Sequence, residues 1–157
     1  MPSDRTTPGR KLITQNRKAR HDYVIEDTVE AGLALVGTEV KSCRDGKANL
    51  SDAYALVRDG EAWLLQAHIA PYSHGNRSNH DPMRPRKLLL HRGEIERLAA
   101  KVSQEGRTLV PLRLYFDHGL AKAEIAVARG KKTHDKRASM AKADDERRMR
   151  RELGRRR

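Results

Sequence analysis

The chain has 157 residues, of which 37% are hydrophobic and 34% charged, with a formal net charge of +12 at pH 7. No apolar run is long enough to cross a membrane, and the first residues, MPSDRTTPGRKLI, hold no apolar leader segment. The one cysteine, Cys43, has no partner for an internal disulfide, so one domain in a reducing, cytosolic setting is expected.

The charge is unevenly placed. Residues 1–20 carry 6 basic and 1 acidic side chains, residues 131–157 carry 12 and 5, and residues 21–130 carry 15 of each. A neutral body with two basic ends is an electrostatic footprint for a polyanion, nucleic acid before an anionic membrane. Residues 1–10, with Ser, Asp, Thr, Pro and Gly, are expected to be a flexible N-terminus, followed by a body (11–130) and the basic tail (131–157).

In chain order, residues 11–20 are basic and polar, with Leu12 and Ile13 as apolar anchors. Residues 22–28 and 31–36 read as two extended stretches. Residues 39–44 read as a short helix with Thr38 as its cap and Asp45-Gly46 as its end. Residues 51–57 and 61–69 are strands joined at Arg58-Asp59-Gly60, a hairpin signal. Residues 71–86 hold three prolines with Gly, Ser and Asn and read as a long loop. Residues 94–104 form an amphipathic helix with Ile95, Leu98, Ala99 and Val102 on one face and Gly106 as its stop. Residues 108–116 and 120–128 form a second hairpin around Asp117-His118-Gly119. In it Leu112, Leu114 and Phe116 alternate with Arg113 and Tyr115, and Ala123, Ile125 and Val127 with Lys122 and Glu124. The expected fold is mainly β: a small, OB-like antiparallel β-barrel with two or three short helices.

No phosphate-binding, dinucleotide, serine-nucleophile or zinc-protease motif is present. His74, His80 and Asp81 share a loop but lack a fourth metal ligand, which favours a solvated loop. His68 is expected as a hydrogen-bonded barrel residue, Cys43 as a small apolar residue of the first helix, and Trp63 as core. No enzyme, metal or cofactor is indicated. Binding signals are stronger: Arg17, Lys18, Arg20 and His21 cluster before the first expected strand, Arg84, Arg86 and Lys87 flank the loop, and Lys131 and Lys132 follow the body. The tail is rich in helix formers but has no continuous apolar stripe. It is expected to be disordered alone and helical against RNA.

Four strings carry a resemblance: NRKARHDY (16–23), EAGLALVGTEVKSCRDGKANLSDAYALVRDGEAWL (30–64), RKLLLHRGEI (86–95) and ARGKKTHDKR (128–137). In this order and spacing they resemble the SsrA-binding protein family, small protein B. The resemblance implies an OB-like barrel that binds the tRNA-like domain of transfer-messenger RNA near its elbow and D-loop. It implies delivery of that RNA, with elongation factor Tu, to ribosomes stalled on messages without a stop codon. The tail then occupies the vacant small-subunit decoding centre and mRNA channel. On this resemblance Glu30, Leu89 and His91 (Asn in some members) stand at RNA-contact positions. Asn16, the Arg17–His21 cluster, Lys87, Lys131 and Lys132 add RNA contacts. Asp135, Lys136 and Arg137, preceded by His134, form the decoding-centre motif of the tail. The resemblance implies trans-translation by a cytoplasmic monomer of bacterial type, with no membrane partner.

Overall fold

The computed structural model of the chain describes residues 9–74, 79–131 and 133–155, with backbone alone at 133–136, 138–139 and 152–155. Its elements are β1 (Arg10–Gln15), α1 (Arg17–Asp22), β2 (Tyr23–Leu33), α2 (Gly37–Arg44), β3 (Ala48–Asn49), β4 (Tyr54–Arg58) and β5 (Glu61–Leu65). They continue with β6 (His68–Ile69), β7 (Arg86–Leu89), α3 (Arg92–Glu105), β8 (Thr108–Asp117), β9 (Leu120–Gly130) and α4 (Thr133–Arg155). All strand pairs are antiparallel. The main sheet runs β1-β8-β4-β5-β7-β2-β9, and β9 pairs back onto β8. Six strands thus close a ring, with β1 added on β8, as the expected small closed β-structure requires. β3 and β6 form a separate two-stranded sheet.

Both expected hairpins form. Their two-residue turns have positive φ at both positions, Asp59 (53°) with Gly60 (75°) and His118 (48°) with Gly119 (82°), the twist that antiparallel strands favour. Inside the ring, Ala123, Ile125 and Val127 of β9 meet Leu109, Leu114 and Phe116 of β8, Leu64 of β5 and Leu88 of β7. The expected alternation in β8 breaks at one point. The register shifts between Pro111 and Arg113, so Leu112 turns outward into a second cluster with Val110, Ala126, Ala128 and Ala19. α1 covers that cluster. At six residues it is too short to show a period in sequence, and it is started by Asn16, whose Oδ1 accepts from the Ala19 N–H.

Several readings are corrected. The stretch expected to be loose up to residue 10 is ordered from Gly9, whose carbonyl accepts from the His118 N–H, and Arg10 opens β1; residues 1–8 lie outside the described residues. The stretches expected at 22–28 and 31–36 merge into one strand, β2, which starts at Tyr23, stops at Leu33 and is bent by a register shift between Ile25 and Asp27. α2 begins one residue before Thr38 and is capped from Val36, whose N–H donates to Glu39 at 2.9 Å. Arg86 to Leu89 is a ring strand, β7, between β5 and β2. Trp63 is only half-buried, because Ala62 and Leu64 take the inward positions of β5. His68 is exposed in the small sheet rather than bonded into the ring. Cys43 is buried as expected, and burial pushes its thiol up to about 11.

The loop at 71–86 is tied down by charge. Glu39 of α2 is fully buried, and its carboxylate accepts from Arg84 and from the equally buried Arg86. Arg86 also donates to the carbonyls of Ala67 and Pro82. His80 bridges the Thr38 hydroxyl and the Ile69 carbonyl, both at 2.9 Å. Arg84 and Arg86 are therefore structural cations, not the phosphate ligands that their position beside a Pro-rich loop suggests. Part of this loop, 75–78, lies outside the described residues.

Candidate nucleic-acid interface

β2 is the axis of the interface. Its outward side chains near the C-terminal end meet those of β9 and β7, and its start carries α1. Between Tyr23 and Gly32 it spans about 30 Å at roughly 3.3 Å per residue, which sets two clusters of expected site residues well apart.

The first cluster lies in an open groove of about 980 Å³ lined by Glu30, Gly32, Lys87, Leu89, His91 and Lys122, among others. Four residues from two distant strings, Glu30 with Lys87, Leu89 and His91, thus face one space. The pairing of Gly32 with Leu89 brings them together. β7 alternates, so Leu88 enters the core while Leu89 stands 53% exposed in the groove. A Cβ on Gly32 would lie 3.1 Å from the Cβ of Leu89, so glycine at this position lets the two strands pack without pushing Leu89 aside. His91 is exposed and forms the N-cap of α3, its backbone N–H donating to Glu94 at 3.1 Å. Lys87 donates to Glu61 at 3.1 Å. The groove holds acids and bases alike, so it presents apolar surface and hydrogen-bonding groups rather than a strong positive field.

Glu30 is not an idle carboxylate. Its Oε1 accepts from Lys122 Nζ at 2.7 Å, and its Oε2 from Arg10 Nη2 at 3.2 Å and from the Tyr115 hydroxyl. Hydrogen bonds from Lys122 and Tyr115 hold its pKa below the ordinary carboxylate value. Burial first, and then the Glu30 carboxylate, push the Tyr115 hydroxyl well above its ordinary value. Arg10 lies 4.9 Å from the centroid of the Tyr115 ring. The network thus fixes two cations, Arg10 and Lys122, at the groove edge. Sequence reading left Arg10, Tyr115 and Lys122 out of the site. Folding the second hairpin about its turn would have found one pair, since Tyr115 stands opposite Lys122.

The second cluster is α1 with the end of β9. Arg17, Lys18, Arg20 and His21 are exposed around the buried Ala19. Lys131 folds back onto them: its N–H donates to the Asp22 carbonyl at 3.0 Å and its Nζ to the Arg20 carbonyl at 2.8 Å. Asn16 belongs to the interior. It is 6% exposed, and its Nδ2 donates to the Leu50 and Pro111 carbonyls. Lys132 lies outside the described residues. His134, Asp135, Lys136 and Arg137 fall in the first turns of α4; of their side chains Arg137 alone is described, and it is exposed. The basic field therefore sits at the α1 end, from which the tail departs, and the mixed groove at the other.

No described helix is long and apolar enough to cross a membrane, and no three His, Cys, Asp or Glu among the described residues are grouped to hold a metal ion.

Comparison with known proteins matches the same stretches. A family model described as SmpB protein matches residues 13–155. An SsrA-binding protein of Acidothermus cellulolyticus is 58% identical over 148 residues, covering 94% of this chain and 93% of that protein. One of Geobacter metallireducens is 60% identical over 141 residues, covering 90% and 92%. Among solved structures, a chain from "tmRNA-SmpB: a journey to the center of the bacterial ribosome" aligns with a TM-score of 0.66 at 50% identity, covering 81% of this chain and 93% of that one.

Proposed function

The chain belongs to the SmpB protein family, and on that premise we propose that it binds the tRNA-like domain of transfer-messenger RNA and delivers it to stalled ribosomes for trans-translation. The observation that carries this reading is the groove, where Glu30, Lys87, Leu89 and His91 converge from separate strings of the sequence. Glu30 cannot attract phosphate itself; it holds Lys122 and Arg10 where RNA arrives. Leu89 offers an apolar face to a base or ribose, and His91 a hydrogen-bonding ring. Arg17, Lys18, Arg20, His21 and Lys131 neutralise backbone phosphates some 30 Å along β2. Asn16 contributes by fixing the start of α1. Recognition by shape and backbone suits a folded RNA.

His134, Asp135, Lys136 and Arg137 act in the second step. The tail leaves the end of β9 remote from the groove, so one RNA can be held while α4 enters the vacant decoding centre and mRNA channel. Occupied channels exclude it sterically. Elongation factor Tu joins through the bound RNA, and the protein acts as a cytoplasmic monomer, not an enzyme.

The test separates the two steps. Leu89→Ala should weaken binding to the tRNA-like domain by about tenfold, the scale of one buried apolar contact. Replacing Asp135, Lys136 and Arg137 together by Ala should leave that binding intact and abolish tagging of stalled products. Loss of RNA binding in the tail variant would overturn the division of roles.

A further inference from the structure

The strands of the ring are joined unevenly. In one half, β2 pairs with β9 from Tyr23 to Gly32, β8 pairs with β9 from Thr108 to Asp117, and β1 adds to β8. In the other, β4 pairs with β5 along the whole hairpin, and β5 with all of β7 except Leu89. The two halves meet at narrow joints. Ala55 with Leu109 is the one register pair between β4 and β8. β2 meets β7 at Gly32 with Leu89 and at Leu33 with Leu88, and the Ala34 N–H then donates to the Lys87 carbonyl at 3.0 Å.

The groove lies across the second joint. Beyond Gly32 the strands fork: β2 runs back towards Glu30 beside β9, while β7 ends at Leu89 and the chain enters α3 at Arg92. Glu30 and Lys122 form one wall of the fork, and Lys87, Leu89 and His91 the other. Each wall is bonded within itself. Glu30 accepts from Arg10, Tyr115 and Lys122, all in its own half. Lys87 donates to Glu61 of β5, and Glu94 of α3 accepts from the His91 N–H. Among the described residues no side-chain hydrogen bond or ion pair crosses from one wall to the other.

Segments held by few ladder bonds open at lower free energy than the long ladders beside them. Leu88 of one half and Val29 and Ile125 of the other still share one close-packed core, so the freedom is a small rocking and not a rupture of the ring. The start of β7 is pinned, because the buried Arg86 is bonded to Glu39. The end that carries Leu89 is not pinned in this way. We propose that the groove is a jaw: the β4-β5-β7 sheet rocks on its two narrow joints and closes Lys87, Leu89 and His91 towards Glu30 and Lys122 when RNA enters. This rests on the RNA-binding reading above and adds how that site adapts to its ligand.

The test is residue-resolved amide hydrogen exchange on the unaltered full chain, free and saturated with the isolated tRNA-like domain of transfer-messenger RNA. In the free protein the Ala34 amide and the amides around Ala55 and Leu109 should exchange at least about 100-fold faster than the slowest amides of the β8–β9 hairpin. RNA should slow both joints by about tenfold or more and leave the hairpin core unchanged. The joint at Ala55 and Leu109 decides the matter, since both residues are buried and neither lines the groove, so RNA cannot shield them directly. Slowing confined to residues that line the groove would be shielding by a rigid site and would overturn the inference. Joints as slow in the free protein as the hairpin core would overturn it too. A separate binding titration distinguishes these results from failure of the parent reading, which falls, and the jaw with it, if the protein does not bind this RNA.

Discussion

Glu39→Gln tests the account of the loop anchor most severely, because it changes one charge and almost no volume. Glu39 and Arg86 are both fully buried, and Arg84 keeps 32% of its side chain exposed. Removing the carboxylate strands the Arg86 guanidinium in the interior with only neutral carbonyl partners. Breaking a buried pair in this way costs about 3 to 5 kcal/mol. For a domain of this size that corresponds to a fall in Tm of about 10 to 20 °C. Chemical denaturation should show a lower midpoint with an unchanged m value, since the surface exposed on unfolding is the same. pH adds a second signature. Burial alone would raise the Glu39 pKa, but hydrogen bonds from Arg84, the Val36 N–H and Arg86 outweigh it and hold the folded value below the unfolded one. The stability it contributes is therefore complete above about pH 4.5 and is lost as pH falls through the folded pKa. Glu39→Gln should lack that acid-dependent component. A Tm within about 3 °C of wild type would refute the reasoning, because the stranded charge would then have found water.

Three further outcomes are expected. Gly32→Ala places a methyl against the Cβ of Leu89, so calorimetry should show a small loss of Tm while affinity for the tRNA-like domain falls by about tenfold, about 1.4 kcal/mol. Tyr115→Phe removes a hydrogen bond to a charged group and should cost about 1.5 to 3 kcal/mol of stability by denaturant titration. It should also weaken RNA binding in the same direction as Glu30→Gln, with the double variant little worse than either, as members of one network behave. Replacing Arg17 and Lys18 by Ala should make the salt slope for RNA shallower by about 1.5 to 2 without changing Tm, since both side chains are exposed.

The ring was legible where local chemistry decides it. Asp59-Gly60 and His118-Gly119 mark turns because few other pairs accept positive φ twice, and the alternation of Ala123, Ile125 and Val127 fixes the inward face of β9. α1 and β7 were not legible, one too short to show a period and the other defined only by partners on both sides. Glu39 is the instructive miss. A glutamate in a helix reads as solvated, and only the folding of residues 84 and 86 over α2 turns it into a buried anchor. Glu30, Leu89 and His91 entered through the resemblance, because the pairing that gathers them is non-local. Their companions Arg10, Tyr115 and Lys122 sit on alternating strands and read there as ordinary surface.

The central claim is that the ring recognises the folded RNA and the tail serves the ribosome. The direct test compares the full chain with one ending at Lys131, which keeps the Lys131 contacts to α1. Both are titrated at physiological salt against the tRNA-like domain of transfer-messenger RNA and against single-stranded RNA of equal charge. The account predicts that the shortened chain retains tight binding and prefers the folded RNA. Loss of affinity and of preference together would contradict it and assign recognition to the basic tail.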